Sequence, residues 1–406
     1  MKRVADHLSD ILSAVQPLPP LDLQLLDAHG CMLTEDAIAP WPLPQFDNSA
    51  MDGYAVRAED VQDADDDHPV ELPVVADIAA GETSPGAIGP RLAARIMTGA
   101  PMPAGADAVV PVEYSDGGTV RVQLRYAAPA GRHVRRVGED VIEGDIVLTA
   151  DTHLGAAQIG LLAAVGKDRV RARPRPRVVV ISTGRELVEP GLPLQRGQIT
   201  DSNSFALTAA AREAGAIAYR VAPLPDDEST VLGLIEEQLV RADLLITTGG
   251  VSAGAYDVVK HVLSRLGTVS FDKVAMQPGM PQGFGTIDGT PIFTLPGNPV
   301  SAFVSFEVFV RPAIRKMLGV SRLHRPSVKA VLQASLRSPE GKRQFARARW
   351  SSAPDGSYLV TPLAGQASHL LADLANANAL VVVPEPVTEV PAGQVVDTVL
   401  LERRKG

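Results

Sequence analysis

Apolar residues recur at helical spacing where the chain begins. Leu8, Ile11, Leu12 and Val15 mark a helix from about Val4 to Val15, and the run stops at the Pro17–Pro20 cluster. A second short helical stretch is expected to about Ala28. From Trp41 to Val141 the period changes. Short alternating runs (Val70–Val75, Leu92–Met97, Ala108–Val112, Val120–Leu124) are broken by Gly, Pro and Asp, which predicts a small β domain. The acidic run Asp60, Asp63, Asp65, Asp66 and Asp67 within it reads as a solvated loop. Leu154–Val165 predicts another short helix. Lys167, Arg169, Arg171, Arg173, Arg175 and Arg177 then alternate, with Pro174 and Pro176 between them. Period-two charge with two prolines fits an extended, solvent-facing connector better than a nucleic-acid patch.

Beyond that connector the pattern is α/β. Val178–Ile181 is a continuous β-branched run, as a strand buried on both faces requires. A helix is predicted from about Ser204 to Ala214, ending at Gly215. Strand Ala218–Val221, helix Glu228–Arg241, strand Leu244–Thr247, helix Tyr256–Leu266, strands Val269–Val274 and Ile292–Leu295, and helix Pro299–Leu318 follow. Such alternation predicts a mainly parallel, doubly wound sheet. From Ser327 to Leu401 the short strands Val328–Leu332, Ala379–Val383 and Val395–Leu401 predict a small all-β terminal domain.

Composition narrows the possibilities. A length of 406 residues suggests two or three domains, and 45% hydrophobic with 21% charged residues fits a globular protein with several cores. Only 4% aromatics beside 35 Gly and 33 Pro favour short strands over long helical bundles. The single cysteine, Cys31, excludes an intramolecular disulfide and any multi-cysteine metal site. No apolar run approaches the ~18 residues of a membrane span, and Asp6, His7 and Asp10 interrupt any signal-peptide core. A net charge of −9 argues against a general nucleic-acid binder. These features predict a folded, multidomain, cytoplasmic protein.

In an open parallel sheet the ligand lies beyond the carboxyl ends of the strands. That rule selects three loops: Ser182-Thr183-Gly184-Arg185-Glu186, Thr247-Thr248-Gly249-Gly250-Val251-Ser252-Ala253-Gly254, and Pro296-Gly297-Asn298-Pro299. Each pairs glycine with hydroxyl or amide donors. Asn298 and Pro299 sit where an N-cap and first helical residue belong, so the next helix offers free N–H groups to an anion. One such loop is an ordinary βα turn; three at one edge predict a phosphate-bearing ligand. Glu186, Asp201, Asp226, Asp227 and Asp257 surround the same edge. Singly they are helix starts or turns, but clustered beside phosphate they suit magnesium, which takes oxygen ligands. Nucleotide motifs are missing. Gly160 to Lys167 has five residues between its glycines, and Asp168 follows the lysine where a P-loop needs Ser or Thr.

The stretches PQFDNSAMDGYAV (Pro44–Val56), RIMTGAPMPAGADAVVPVE (Arg95–Glu113), VRRVGEDV (Val134–Val141), STGRELVEPG (Ser182–Gly191), GQITDSN (Gly197–Asn203), TTGGVSAGAYD (Thr247–Asp257) and LPGNPVSAF (Leu295–Phe303) resemble those of the molybdopterin molybdotransferases, relatives of the gephyrin E domain. The resemblance implies an α/β and β multidomain fold. An N-terminal α/β linker domain (1–43 with 142–173), an inserted β domain (44–141), a doubly wound, adenylyltransferase-like, molybdopterin-binding domain (174–323) and a small C-terminal β-barrel-like domain (324–406) are expected. It implies an elongated homodimer in which the β domain of one subunit completes the cleft of the other.

The resemblance also implies the chemistry. Adenylylated molybdopterin and molybdate are the substrates, the phosphoanhydride is cleaved with magnesium or another divalent cation, and AMP is released. Glu186, Asp226 and Asp257 become the acidic set of the cleft, with Asp257 favoured for cleavage and Glu186 and Asp257 for the metal. Ser182, Thr183, Gly184, Asp201, Gly249, Gly250, Ser252, Lys273, Pro296, Gly297, Asn298 and Pro299 would hold the ligand. Asp52, Thr98, Arg135 and Asp140 would come from the partner, with Asp52 and Asp140 in catalytic roles. Pro281, Arg347 and Ser368 would approach molybdate. Contact with the molybdopterin adenylyltransferase and with molybdoenzyme targets is also implied. Two departures stand out. Where the family commonly reads K-P-G-K-P, this chain has Gln277-Pro278-Gly279-Met280-Pro281, so two cations are missing near a dianion; Lys273 and Arg347 are candidates to compensate. Arg185 also replaces a commonly acidic residue. The competing reading is a diverged carrier that holds the pterin without efficient insertion chemistry.

Overall fold

The structure, a computed structural model, describes residues 1–224, 227–249, 258–266 and 268–401. It divides into two compact units, one of residues 22–29 and 33–171, the other of 1–21, 30–32 and 172–406.

In the first unit a five-stranded sheet runs in the spatial order Ala108–Pro111, Gly53–Val56, Ala93–Ile96, Val70–Ile78, Arg121–Leu124. Alternation along the strands feeds two small cores. Tyr54, Val56, Leu72, Val110 and Leu124 pack in one, and Ala55, Ile78, Ala94, Ile96 and Val109 in the other. Gly53 is required at its position, because a Cβ there would lie 2.0 Å from the Val110 carbonyl oxygen. A helix, Ala156–Ala164, belongs to the same unit.

The second unit is built on a six-stranded sheet. Its strands are β1 (Arg177–Thr183), β2 (Ile217–Leu224), β3 (Leu244–Thr248), β4 (Ser270–Lys273), β5 (Pro281–Ile287) and β6 (Thr290–Leu295), in the order β2-β1-β3-β6-β5-β4. The first four in that order are parallel, and β5 pairs antiparallel with both β6 and β4, so the sheet is mixed. Both faces are covered. Val178, Val180, Leu244, Ile246 and Phe293 pack on Leu207, Ala211, Val300 and Val304 on one side. Val179, Ile181, Leu245 and Ile292 pack on Val231, Ile235 and Leu263 on the other. This double winding is what the β-branched run predicts. The antiparallel edge comes from β5, joined to β6 by Asp288-Gly289 with φ of 48° and 80°. Asp-Gly between two apolar runs is a hairpin signal that the sequence reading passed over.

Residues 327–400 close a five-stranded barrel from Ser327–Leu332, Arg343–Ser352, Tyr358–Pro362, Ala379–Val383 and Val395–Leu400. Among the described residues no helix is long and apolar enough to cross a membrane.

Three expectations are corrected. The helical stretch toward Ala28 is instead a strand, Leu21–Gln24, followed by a turn ending at Gly30 (φ 80°); Leu21 and Leu23 alternate with polar residues at strand period. The arginine connector is extended but not wholly solvent-facing. Arg173 donates to the Leu18 carbonyl, and Arg175 donates to the Gly215 and Ala216 carbonyls at 2.9 and 2.8 Å. The helix Pro299–Leu318 is interrupted. Pro299–Ser305 and Arg311–Met317 are α-helical, and Phe306–Val310 widens into a π turn ahead of Pro312, which supplies no N–H. At that turn buried Glu307 accepts two bonds from Arg325, both 2.9 Å.

Candidate active site

The carboxyl ends of β1, β3 and β6 open into a cleft of about 520 Å³. Ser182, Thr183, Gly184 and Glu186 contribute from the first predicted loop, Thr248 and Gly249 from the second, and Pro296, Gly297, Asn298 and Pro299 from the third. The strand-end rule thus brings all three loops to one place. Gly249 (φ 91°) accepts no substitute, since a Cβ would sit 2.7 Å from the Thr183 carbonyl oxygen. Asp226, Gly250, Ser252 and Asp257, all sequence candidates, lie outside the described residues. Asp227 is a helix cap, accepting from the Ser229 and Thr230 N–H groups at 3.3 and 3.0 Å.

Asp201 lines the cleft but is engaged within the wall. Only 1% exposed, it accepts from Ser182 Oγ at 3.0 Å, from the Ser204 N–H at 3.1 Å and from Ser204 Oγ, with Arg220 3.8 Å away. Arg220 also makes a two-pronged bond to Glu189 at 2.7 and 2.9 Å. Two residues on, Asn203 donates to Thr248 Oγ1 at 3.0 Å and to the Gly297 carbonyl at 2.7 Å. Sequence reasoning gave Asn203 no role of its own, although it ends the GQITDSN motif.

The donors facing the cleft are oxygens. Glu186 is exposed at its rim, and Thr183 Oγ1 is buried without a hydrogen-bond partner among the described residues. No thiol or imidazole lines it among the described residues. Such a set fits a hard divalent cation. Among the described residues no three His, Cys, Asp or Glu side chains gather as a ready-made metal site.

Pro281, at the start of β5, lines the cleft, whereas Lys273, its register partner on β4, is exposed and outside the lining. Ser368 reaches the cleft through Asn298, whose Nδ2 donates to its hydroxyl at 3.0 Å. Arg347 lies beneath the loop that carries Ser368. It is 1% exposed, and its guanidinium donates to the carbonyls of Leu370, Gly365 and Ala367 at 3.2, 2.6 and 3.0 Å. Burial lowers its pKa from the ordinary arginine value. Arg347 therefore holds the loop that carries Ser368.

The remaining candidates meet in the first unit. Asn48–Ser49 pairs with Val134–Arg135, and Ser49 exchanges backbone bonds with the 97–100 turn: its N–H donates to Ala100 O at 3.0 Å and its carbonyl accepts from Gly99 at 2.8 Å. Asp52 accepts from the Thr98 N–H at 2.6 Å and from its hydroxyl at 2.8 Å, and these two donors lower its pKa. The backbone N–H of Asp140 donates to Leu43 O at 3.0 Å. Residues 37 to 83 positions apart thus form one polar patch carrying Asp52, Thr98 and Arg135.

Residues 179–316, which include nearly all of the cleft, match the family model described as "Probable molybdopterin binding domain". The class is thereby a molybdopterin-binding α/β domain carried in a larger chain. Residues 2–166 match the "MoeA N-terminal region (domain I and II)" and residues 329–401 the "MoeA C-terminal region (domain IV)". The chain is 50% identical over 399 residues to molybdopterin molybdenumtransferase 2 of Mycobacterium tuberculosis, covering 97% of this chain and 98% of that one. To molybdopterin molybdenumtransferase 1 of the same organism it is 42% identical over 422 residues, covering 99% of each. A solved molybdopterin biosynthesis MoeA protein from Pyrococcus horikoshii superposes with a TM-score of 0.75 at 31% identity, covering 99% of both chains. The chain belongs to the MoeA family of molybdopterin molybdenumtransferases.

Proposed function

We propose that this chain transfers molybdenum from molybdate to molybdopterin that arrives adenylylated, with cleavage of the phosphoanhydride and release of AMP. The observation that carries the reading is the convergence of three glycine-bearing loops on one cleft, in a chain with half its residues identical to a molybdopterin molybdenumtransferase. Backbone N–H groups at the glycine loops and the Thr183 hydroxyl suit the anionic oxygens of a phosphoanhydride. Glu186, with Asp257 from the sequence reading, would hold magnesium, which when bound neutralises phosphate charge and orients an attacking oxygen. Asp226 would join this acidic set. Ser182 is held by Asp201 to shape the wall, and Gly250 and Ser252 would continue the ligand cradle. Ser368, supported by Arg347, would meet molybdate beside Pro281.

The polar patch of Asp52, Thr98 and Arg135 is exposed, as is Asp140, and we assign all four to the cleft of a second copy in a homodimer. The four-domain division given above and a cytoplasmic location go with this reading, as does contact with the adenylyltransferase that supplies the ligand and the molybdoenzymes that accept the product. Mixing the protein with adenylylated molybdopterin, molybdate and magnesium tests the function. AMP and a product that activates a cofactor-free molybdoenzyme are expected. One observation favours the carrier reading, the absence of the two lysines at Gln277 and Met280. A carrier would retain the adenylylated ligand and release no AMP at any molybdate concentration.

A further inference from the structure

We propose, resting on the function above, that Asn203 is a positioning residue: its carboxamide sets the separation of the two glycine loops that grip the phosphate-bearing end of the ligand. The Gly297 carbonyl can only accept, so the amide nitrogen of Asn203 must face it, at 2.7 Å. The other amide hydrogen goes to Thr248 Oγ1 at 3.0 Å. Thr248 in turn donates its hydroxyl hydrogen to the Pro296 carbonyl at 3.1 Å. A chain of donors therefore runs from the start of the helix Asn203–Glu213 across the second loop into the third.

This link takes over where the sheet stops. Among the described residues the last backbone rung between the two loops is Gly249 N–H to Leu295 O, at 3.2 Å. Past it the loops lie in contact, for a Cβ on Gly297 would stand 3.5 Å from Gly249 Cα. A change of a few tenths of an ångström there alters the aperture that the phosphate must fit. The first loop is tied to the same helix start, because Asp201 accepts from Ser182 Oγ. Three loops from three strands thus take their spacing from one short segment, Asp201–Asn203, and a rigid element is the better place from which to hold a binding constellation. Asn203 acts through Thr248 and Gly297, so its removal should weaken ligand capture more than it slows the bond-breaking step.

The test uses Asn203→Ala and Asn203→Asp, the second keeping the shape while turning both donors into acceptors. Losing two hydrogen bonds should raise KM for adenylylated molybdopterin in AMP release by about tenfold or more. The turnover number should change less than about threefold, the half-saturating molybdate concentration should hold, and Tm should move by no more than about 3 °C. Because Asn203 and Thr248 share one bond, the double variant Asn203→Ala/Thr248→Val should lose less than the sum of the two single losses. An unchanged KM, fully additive losses, or a fall in turnover that follows a fall in Tm would overturn the assignment. If the wild type releases no AMP, the proposed reaction fails. The positioning role is then decided by equilibrium binding of adenylylated molybdopterin, where an unchanged Kd for Asn203→Asp would reject it.

Discussion

Asn298, at the start of the helix that follows β6, donates its amide to the hydroxyl of Ser368 at 3.0 Å, and the N–H of Val300 donates to the Ser368 carbonyl at 3.1 Å. The barrel loop 365–370 is thereby tied to Asn298, which lines the cleft. Arg347 holds that loop from beneath through three carbonyls. The two side chains should separate in their effects. Arg347→Met removes all three of these bonds, from a side chain only 1% exposed, and should destabilise the protein by about 2–4 kcal/mol, read by urea unfolding. Ser368→Ala should cost about 1 kcal/mol or less and show mainly as a higher molybdate requirement in AMP release. An equal loss of stability in both would remove the distinction between support and contact.

The turn 277–280 is firmly seated. Val274 N–H donates to the Met280 carbonyl at 2.8 Å, and Gln282 Nε2 donates to the Gly279 carbonyl and to Ser305 Oγ at 2.6 Å each. Gly279 could carry no side chain, since a Cβ would stand 2.7 Å from Ser305 Oγ. The turn delivers Pro281 to the cleft wall, and Lys273 stays outside the lining. Restoring the two cations with Gln277→Lys and Met280→Lys should therefore lower the half-saturating molybdate concentration by about one to three orders of magnitude. Each charge-assisted contact is worth ~1.5–3 kcal/mol. A molybdate titration of AMP release reads it. If the wild type already saturates at micromolar molybdate and the double variant matches it, the departure is neutral.

His7 makes stability depend on pH. Burial, and then the charge of Lys2, push its pKa down to about 4, although Asp272 and Asp10 oppose the shift. Its Nδ1 lies 3.6 Å from Asp272 Oδ2, and its ring meets the edge of Phe309. The folded state holds this imidazole neutral, whereas the unfolded chain protonates it near its ordinary value. Between those values the unfolded state binds more protons, so stability is fully present above about pH 6.5 and falls as the pH drops toward 4, by about 3 kcal/mol in all. Urea unfolding of the wild type and of His7→Leu across this window should show that part of the slope only in the wild type.

Much of the architecture is written in local pattern. β1 reads as a strand because Val178–Ile181 is β-branched without interruption, and the three ligand loops follow from where strands end. Other features come from contacts that periodicity does not encode. β5 is Gly-rich, with Gly283 and Gly285 accommodating Phe271 and Val269, so it lacks the apolar run of a typical strand. Its presence could have been read only from Asp288-Gly289. Arg347 looks like a surface cation in sequence and becomes a buried clamp, because the barrel brings three carbonyls to it from residues 18 to 23 positions away. At the π turn the buried Glu307–Arg325 pair joins residues 18 positions apart, and only Pro312 is visible along the chain. The patch around Asp52 forms through strand pairing between residues 48–49 and 134–135, a register that single segments do not disclose.

If the cleft at the edge of β1, β3 and β6 cleaves the adenylylated ligand, single-turnover AMP release should fail in Asp257→Ala. Asp257 is expected at the metal rather than in the glycine cradle, so the variant should lose the charge neutralisation and water orientation of cleavage while keeping the groups that hold phosphate. Protein in excess over adenylylated molybdopterin would be mixed with molybdate and magnesium. AMP in the quench and ligand retained on the protein would be counted together. The account predicts rapid AMP release by the wild type, and retained but uncleaved ligand on Asp257→Ala. Equal AMP release by both proteins, or no retention of the ligand by the wild type, would contradict it.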